Sequence, residues 1–153
     1  MAEIVVVAVC LVLNGLFSCF EMAFVTVTKV QLRQLSKAGH KSADRILQLR
    51  ENPERTLSVI QVGITLVGMI SAAVGGAGAE ESLSPIILSM FDVSENVGEA
   101  IAIGIVVLPL TYLSVVVGEL VPKSIALRDP ARICLLGAHW IALADMVFSP
   151  VVR

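Results

Sequence analysis

Val115-Val116-Val117-Gly118-Glu119-Leu120-Val121-Pro122-Lys123 sets a carboxylate at the end of an apolar run. From Ala100 to Gly118 no residue is charged, so the run is long enough to cross a bilayer, and Glu119 falls where that span meets its inner boundary. Pro122 disfavours helical geometry at Val121 and brings no backbone donor, so carbonyls of the preceding turn are expected to be free beside the carboxylate. Hard cations prefer such oxygens. An interfacial glutamate at a helix end, salt-bridged to Lys123, fits this stretch equally well, and the other spans must decide.

Outward from this stretch the chain is predominantly apolar. Of 153 residues, 56% are hydrophobic and 16% charged, too apolar for an ordinary soluble domain and expected of an integral membrane protein. Nothing in it points to nucleic acid. Glu3 stands where a signal peptide would carry basic residues, so the N-terminal run reads as a span. Cys10, Cys19 and Cys134 are isolated in apolar segments, which indicates neither a disulfide framework nor a zinc site.

Three spans follow from the uncharged runs, at residues 4–28, 56–79 and 100–120, the first with Glu21 embedded in it. Between the first two lies a basic segment, Lys29 to Arg55, with apolar residues at roughly helical spacing. It is broken at Ala38-Gly39-His40, which suggests a helix-turn-helix along the membrane surface. Leu83 to Phe91, containing Pro85, is too brief to cross and reads as a short outer helix within an acidic connection. Placing the N-terminus outside, in the inner (plasma) membrane of a cell, puts Lys29 to Arg55 and Lys123 onward inside. Residues 133–152 form either a fourth span or a juxtamembrane helix. A crossing would bury Asp145 and export Arg153, which favours the juxtamembrane helix, and Trp140 suits an interfacial depth. The expected fold is an all-α membrane protein with three transmembrane helices, a short outer helix and cytoplasmic juxtamembrane helices. Gly68, Ser71, Gly75 and Gly78 or Ala79, at three- or four-residue spacing, offer a close-approach face for a homodimer.

Polar groups gather at one depth. Counting inward at ~1.5 Å per residue, Glu21 lies about 10 Å deep, Ser18 about 15 Å, Gln61 about 8 Å and Thr65 about 14 Å. Glu119 closes the group from below. Ser18 with Glu21, and Gln61 with Thr65, share helix faces and can point into one cavity. Interhelical hydrogen bonding that glues the bundle is the alternative, but glue alone does not account for two carboxylates.

Three short motifs stand in order: Leu16-Phe17-Ser18-Cys19-Phe20-Glu21-Met22-Ala23, Gln61-Val62-Gly63-Ile64-Thr65-Leu66 and Gly118-Glu119-Leu120-Val121-Pro122-Lys123. They resemble the F-S-G-S-E-x-A, Q-x-G-N-T-L and G-E-x-x-P-K patterns of the CorC/CNNM family of magnesium transport proteins, whose bacterial members are often labelled hemolysin-like. The resemblance covers essentially residues 1–153. It implies a homodimer of three-span protomers with a juxtamembrane belt, an inward-facing cation site, and cytoplasmic CBS domains that would lie beyond Arg153 in a longer chain. It carries Ser18 and Glu119 over as Mg2+ ligands, with backbone oxygen near Gly63 or Gly118. Glu21, Gln61, Ile64 and Thr65 are further positions around that site. Two departures stand out: Ile64 occupies the asparagine position, and Cys19-Phe20 replaces Gly-Ser. Divalent-cation transport, with Mg2+ leaving the cell, is the expected function. A non-transporting membrane scaffold or regulator of ion homeostasis is the alternative, and no nucleophile–base arrangement suggests an enzyme.

Overall fold

The computed structural model describes residues 2–91 and 94–148, and every regular element in them is helical. In chain order they are α1 (Ala2–Thr26), α2 (Lys29–Lys37), α3 (Lys41–Leu49), α4 (Pro53–Met90), α5 (Glu95–Val115), a π-helical turn (Val116–Leu120), α6 (Val121–Arg128) and α7 (Pro130–Phe148). Among the described residues, four stretches are long and apolar enough to cross a membrane: Ala2–Thr26, Pro53–Met90, Glu95–Arg128 and Pro130–Val147.

Local chemistry sets the boundaries. Thr28 caps α2 through a reciprocal pair: the Gln31 backbone N–H donates to Thr28 Oγ1, and the Thr28 N–H donates to Gln31 Oε1, both at 3.2 Å. The α2–α3 hairpin turns at Gly39, whose φ of 91° is a left-handed conformation that only glycine adopts cheaply. Ser36 Oγ donates to Asp44 Oδ1 across it. Arg50, just after α3, donates to the carbonyls of Val25 and Val27 and sits over the Phe24 ring. It thereby satisfies the free carbonyls at the end of α1.

The core lies around the C-terminal half of α1, where Phe20, Ala23, Phe24 and Val27 meet Leu32, Ile46, Ile60, Ala126, Cys134 and Ala138. Gly137 is obligatory there. A Cβ on it would overlap the Phe20 ring, which lies flush on the α7 backbone. Two ion pairs tie the ends together: Lys123 Nζ to Glu21 Oε2 at 3.1 Å joins α6 to α1, and Arg55 to Asp145 at 3.2 Å joins α4 to α7. By contrast, α5 has few fully buried residues, Gly98 and Ala102 among them.

Two helix boundaries differ from expectation. Residues 83–91 form no separate outer helix, because α4 runs unbroken through Pro85 to Met90. One proline removes a single backbone bond, whereas Ser84 and Ile87 are buried and Leu88 closes over Gly98 at the start of α5, holding those turns in place. Nor does Pro122 end the helix, since Val121 keeps helical dihedrals of −63° and −49°. The ring's ordinary clash is with the carbonyl four residues back. The preceding turn is widened to π geometry, with the Val121 N–H bonded to Val116 O, which relieves that clash without breaking the helix.

Candidate ion site

The widened turn presents its residues in two directions. Gly118 is buried against α1: a Cβ there would lie 3.0 Å from Asn14 Nδ2, so the absent side chain is what lets the Asn14 amide reach the turn. One residue on, Glu119 is half-buried and turns to the α4–α5 side. It lines a cavity of about 220 Å³ with Gly68 and Ser71 of α4 and Thr111 and Ser114 of α5. Ser71 is 5% exposed and its Oγ has no hydrogen-bond partner among the described residues. Thr111 Oγ1 donates to Val107 O at 2.7 Å and keeps its lone pairs for the cavity. Glu119 makes no ion pair among the described residues.

Several sequence-derived positions lie elsewhere. Ser18 is wholly buried on α1, one turn beyond Asn14 on the same face, and its Oγ also has no partner among the described residues. No α1 residue lines the Glu119 cavity, so Ser18 and Glu119 flank the π-turn from two sides rather than sharing one chamber. Glu21 is held by Lys123, the lysine that the alternative reading of the Glu119 stretch paired with Glu119. Gly63 receives the Phe17 ring, with Cζ 2.9 Å from where a Cβ would stand. Ile64 packs against the core, while Gln61 and Thr65 are exposed on α4.

Asn14, Thr111 and Ser114 escaped sequence reasoning, in which Ser71 figures only as part of the close-approach face. Asn14 carried a usable signal, being the sole amide in the uncharged run from Ile4 to Phe20, where a polar side chain needs a reason. The hydroxyls did not, because serine and threonine in spans so often bond their own helix. Gly75 and Gly78, read as a face for a second protomer, serve contacts within the chain: Leu110 packs on the first and Glu3 on the second. Gly68 has nothing within 4 Å of a Cβ position.

Chemically the site offers one carboxylate, hydroxyls and backbone carbonyls. No group of three His, Cys, Asp or Glu that could hold a metal occurs among the described residues. Hard-cation chemistry, with oxygen ligands and retained water, is what this donor set suits.

Long apolar helices around an embedded carboxylate define a multi-pass helical membrane protein. The chain belongs to the CNNM family, whose cyclin M transmembrane N-terminal domain matches residues 5–153. It is 40% identical over 150 residues to the UPF0053 protein sll0260 of Synechocystis, covering 98% of this chain and 33% of that protein. To the UPF0053 inner membrane protein YfjD of Escherichia coli it is 28% identical over 140 residues, covering 92% of this chain and 29% of that protein. A protein of Haemophilus influenzae named polyamine export protein is 24% identical over 139 residues, covering 91% of this chain and 32% of that protein. The chain thus spans about a third of the length of these relatives.

Proposed function

We propose that this chain is the membrane part of a cation transporter of the CNNM family, a family concerned with ion transport across membranes. Its cargo on this reading is Mg2+, moved outward. The observation that carries it is Glu119: a half-buried carboxylate without an ion-pair partner among the described residues, at a π-turn and at the end of a hydroxyl-lined cavity. An embedded carboxylate is costly unless a cation shares the site, and π-turns recur at functional positions. The reading places the N-terminus outside in the inner membrane, with Lys29 to Arg55 inside. It makes α7 a juxtamembrane belt. That helix begins after the inner end of the third span, and its Asp145 pairs with Arg55 at the inner end of α4, so both ends lie at one depth. A homodimer using the open face around Gly68 and the uncovered side of α5, and CBS domains in a longer chain, complete the proposal.

The relative named polyamine export protein brings a second cargo, since a carboxylate beside apolar wall also suits an organic ammonium. Flux in proteoliposomes tests both. Mg2+ release from protein-containing vesicles above the rate of protein-free ones, not suppressed by excess spermidine, supports the Mg2+ reading. Spermidine release alone favours the organic cation, and release of neither returns the chain to a scaffold role.

A further inference from the structure

The α1 side of the π-turn holds a feature the Glu119 cavity does not use. Asn14 is 3% exposed and Ser18 is wholly buried; Asn14 Oδ1 and Ser18 Oγ both lack a hydrogen-bond partner among the described residues. They lie one turn apart on one face of α1, and the Asn14 amide rests on Gly118. Between them Gly15 packs on the Pro122 ring, and a Cβ on it would stand 3.8 Å from Val117 O and 4.0 Å from Gly118 O. Those carbonyls therefore border the same face of α1. Pro122 is the residue whose N–H would bond Val117 O in π geometry or Gly118 O in α geometry, and it has none. Asn14 Oδ1, Ser18 Oγ and at least one carbonyl oxygen thus border one short stretch of α1 with the Pro122 donor missing, in a setting where every unsatisfied polar group is expensive.

We infer that Asn14 is a direct ligand of the transported cation, its side-chain oxygen acting with Ser18 Oγ and the carbonyls of the π-turn. Glycine at 15 and at 118 is what brings α1 close enough for this. A cation can satisfy several of these acceptors together, whereas a single N–H or O–H satisfies one at a time. Asn14 then has a specificity role: a neutral amide oxygen strips part of the hydration shell without adding charge, while Glu119, on the other side of the same π-turn, supplies the charge. Ile64, packed into the core, contributes no oxygen to this set.

The inference rests on the transport reading, and the test separates the two. Mg2+ is titrated by calorimetry into the detergent-purified chain as wild type, Glu119→Gln, Asn14→Leu and Asn14→Asp. Binding by wild type, its loss in Glu119→Gln and a weakening on the order of tenfold or more in Asn14→Leu are expected. Asn14→Asp, nearly isosteric, should keep binding and make it fall more steeply with falling pH than in wild type, because a second carboxylate has been added to the site. Wild-type affinity in Asn14→Leu, with only its melting temperature changed, overturns the inference and leaves the transport reading standing. If Asn14→Leu does not fold, an Asn14→Asp variant with wild-type affinity and a wild-type pH profile overturns it alone. Absence of Mg2+ binding in wild type removes both.

Discussion

Lys123 Nζ lies 3.1 Å from Glu21 Oε2, an ion pair that joins α6 to the C-terminal half of α1. This contact divides the labour between the embedded carboxylates. Glu21 is neutralised by a lysine just after the π-turn, whereas Glu119 makes no ion pair among the described residues. Both Glu21 and Lys123 remain partly exposed, so the pair is a staple of moderate strength. Glu21→Gln or Lys123→Met alone should destabilise by about 1–2 kcal/mol, and the double variant by less than the sum. Thermal melts in detergent measure this; strictly additive losses would show that the two groups do not interact.

Phe20 and Gly137 should behave as one unit. Gly137→Ala forces a methyl into the Phe20 ring and should cost about 1–3 kcal/mol, with α7 becoming protease-sensitive first. In a Phe20→Ala background the same change should cost almost nothing, because the ring it would meet is gone. Equal costs in both backgrounds would place α7 elsewhere.

Pro122→Ala returns an N–H to the turn and lets it tighten from π to α geometry, rotating Glu119 relative to Gly118. The melting temperature should hold or rise while Mg2+ flux in proteoliposomes falls at least about tenfold. Undiminished flux would mean that the widened turn serves packing only.

Topology is tested by cysteine labelling in a background lacking Cys10, Cys19 and Cys134. An impermeant reagent added outside cells should miss a cysteine at Lys41 and at Leu143 and reach one at Glu95. Labelling at Leu143 from outside would turn the α7 belt into a fourth span, and labelling at Lys41 would invert the whole arrangement.

The long helices are legible in the sequence because an uncharged run near 20 residues is long enough to span a bilayer and too apolar to face water. The α2–α3 hairpin can also be read, from a basic segment broken at Gly39. Proline misleads twice, at Pro85 and Pro122. Its local cost is fixed, but burial of Ser84 and Ile87 and the widening of a turn are tertiary events that no dipeptide announces. At the candidate site Glu119 stands out in the sequence, yet its neighbours there are not those that depth suggests. Gln61 and Thr65 share a depth with Glu21 and Ser18, but depth leaves azimuth open, and α4 presents both on its exposed side. Asn14 is uncharged, so it lacks the mark that makes Glu21 and Glu119 conspicuous, and only its packing on Gly118 gives it a place at the turn.

Mg2+ flux through Glu119→Gln tests the central claim most directly. In proteoliposomes with equal amounts of folded protein, wild type should pass Mg2+ above the protein-free background, and Glu119→Gln should fall to that background with its melting temperature within a few degrees of wild type. Wild-type flux through Glu119→Gln would contradict the assignment of this carboxylate as the site's charge.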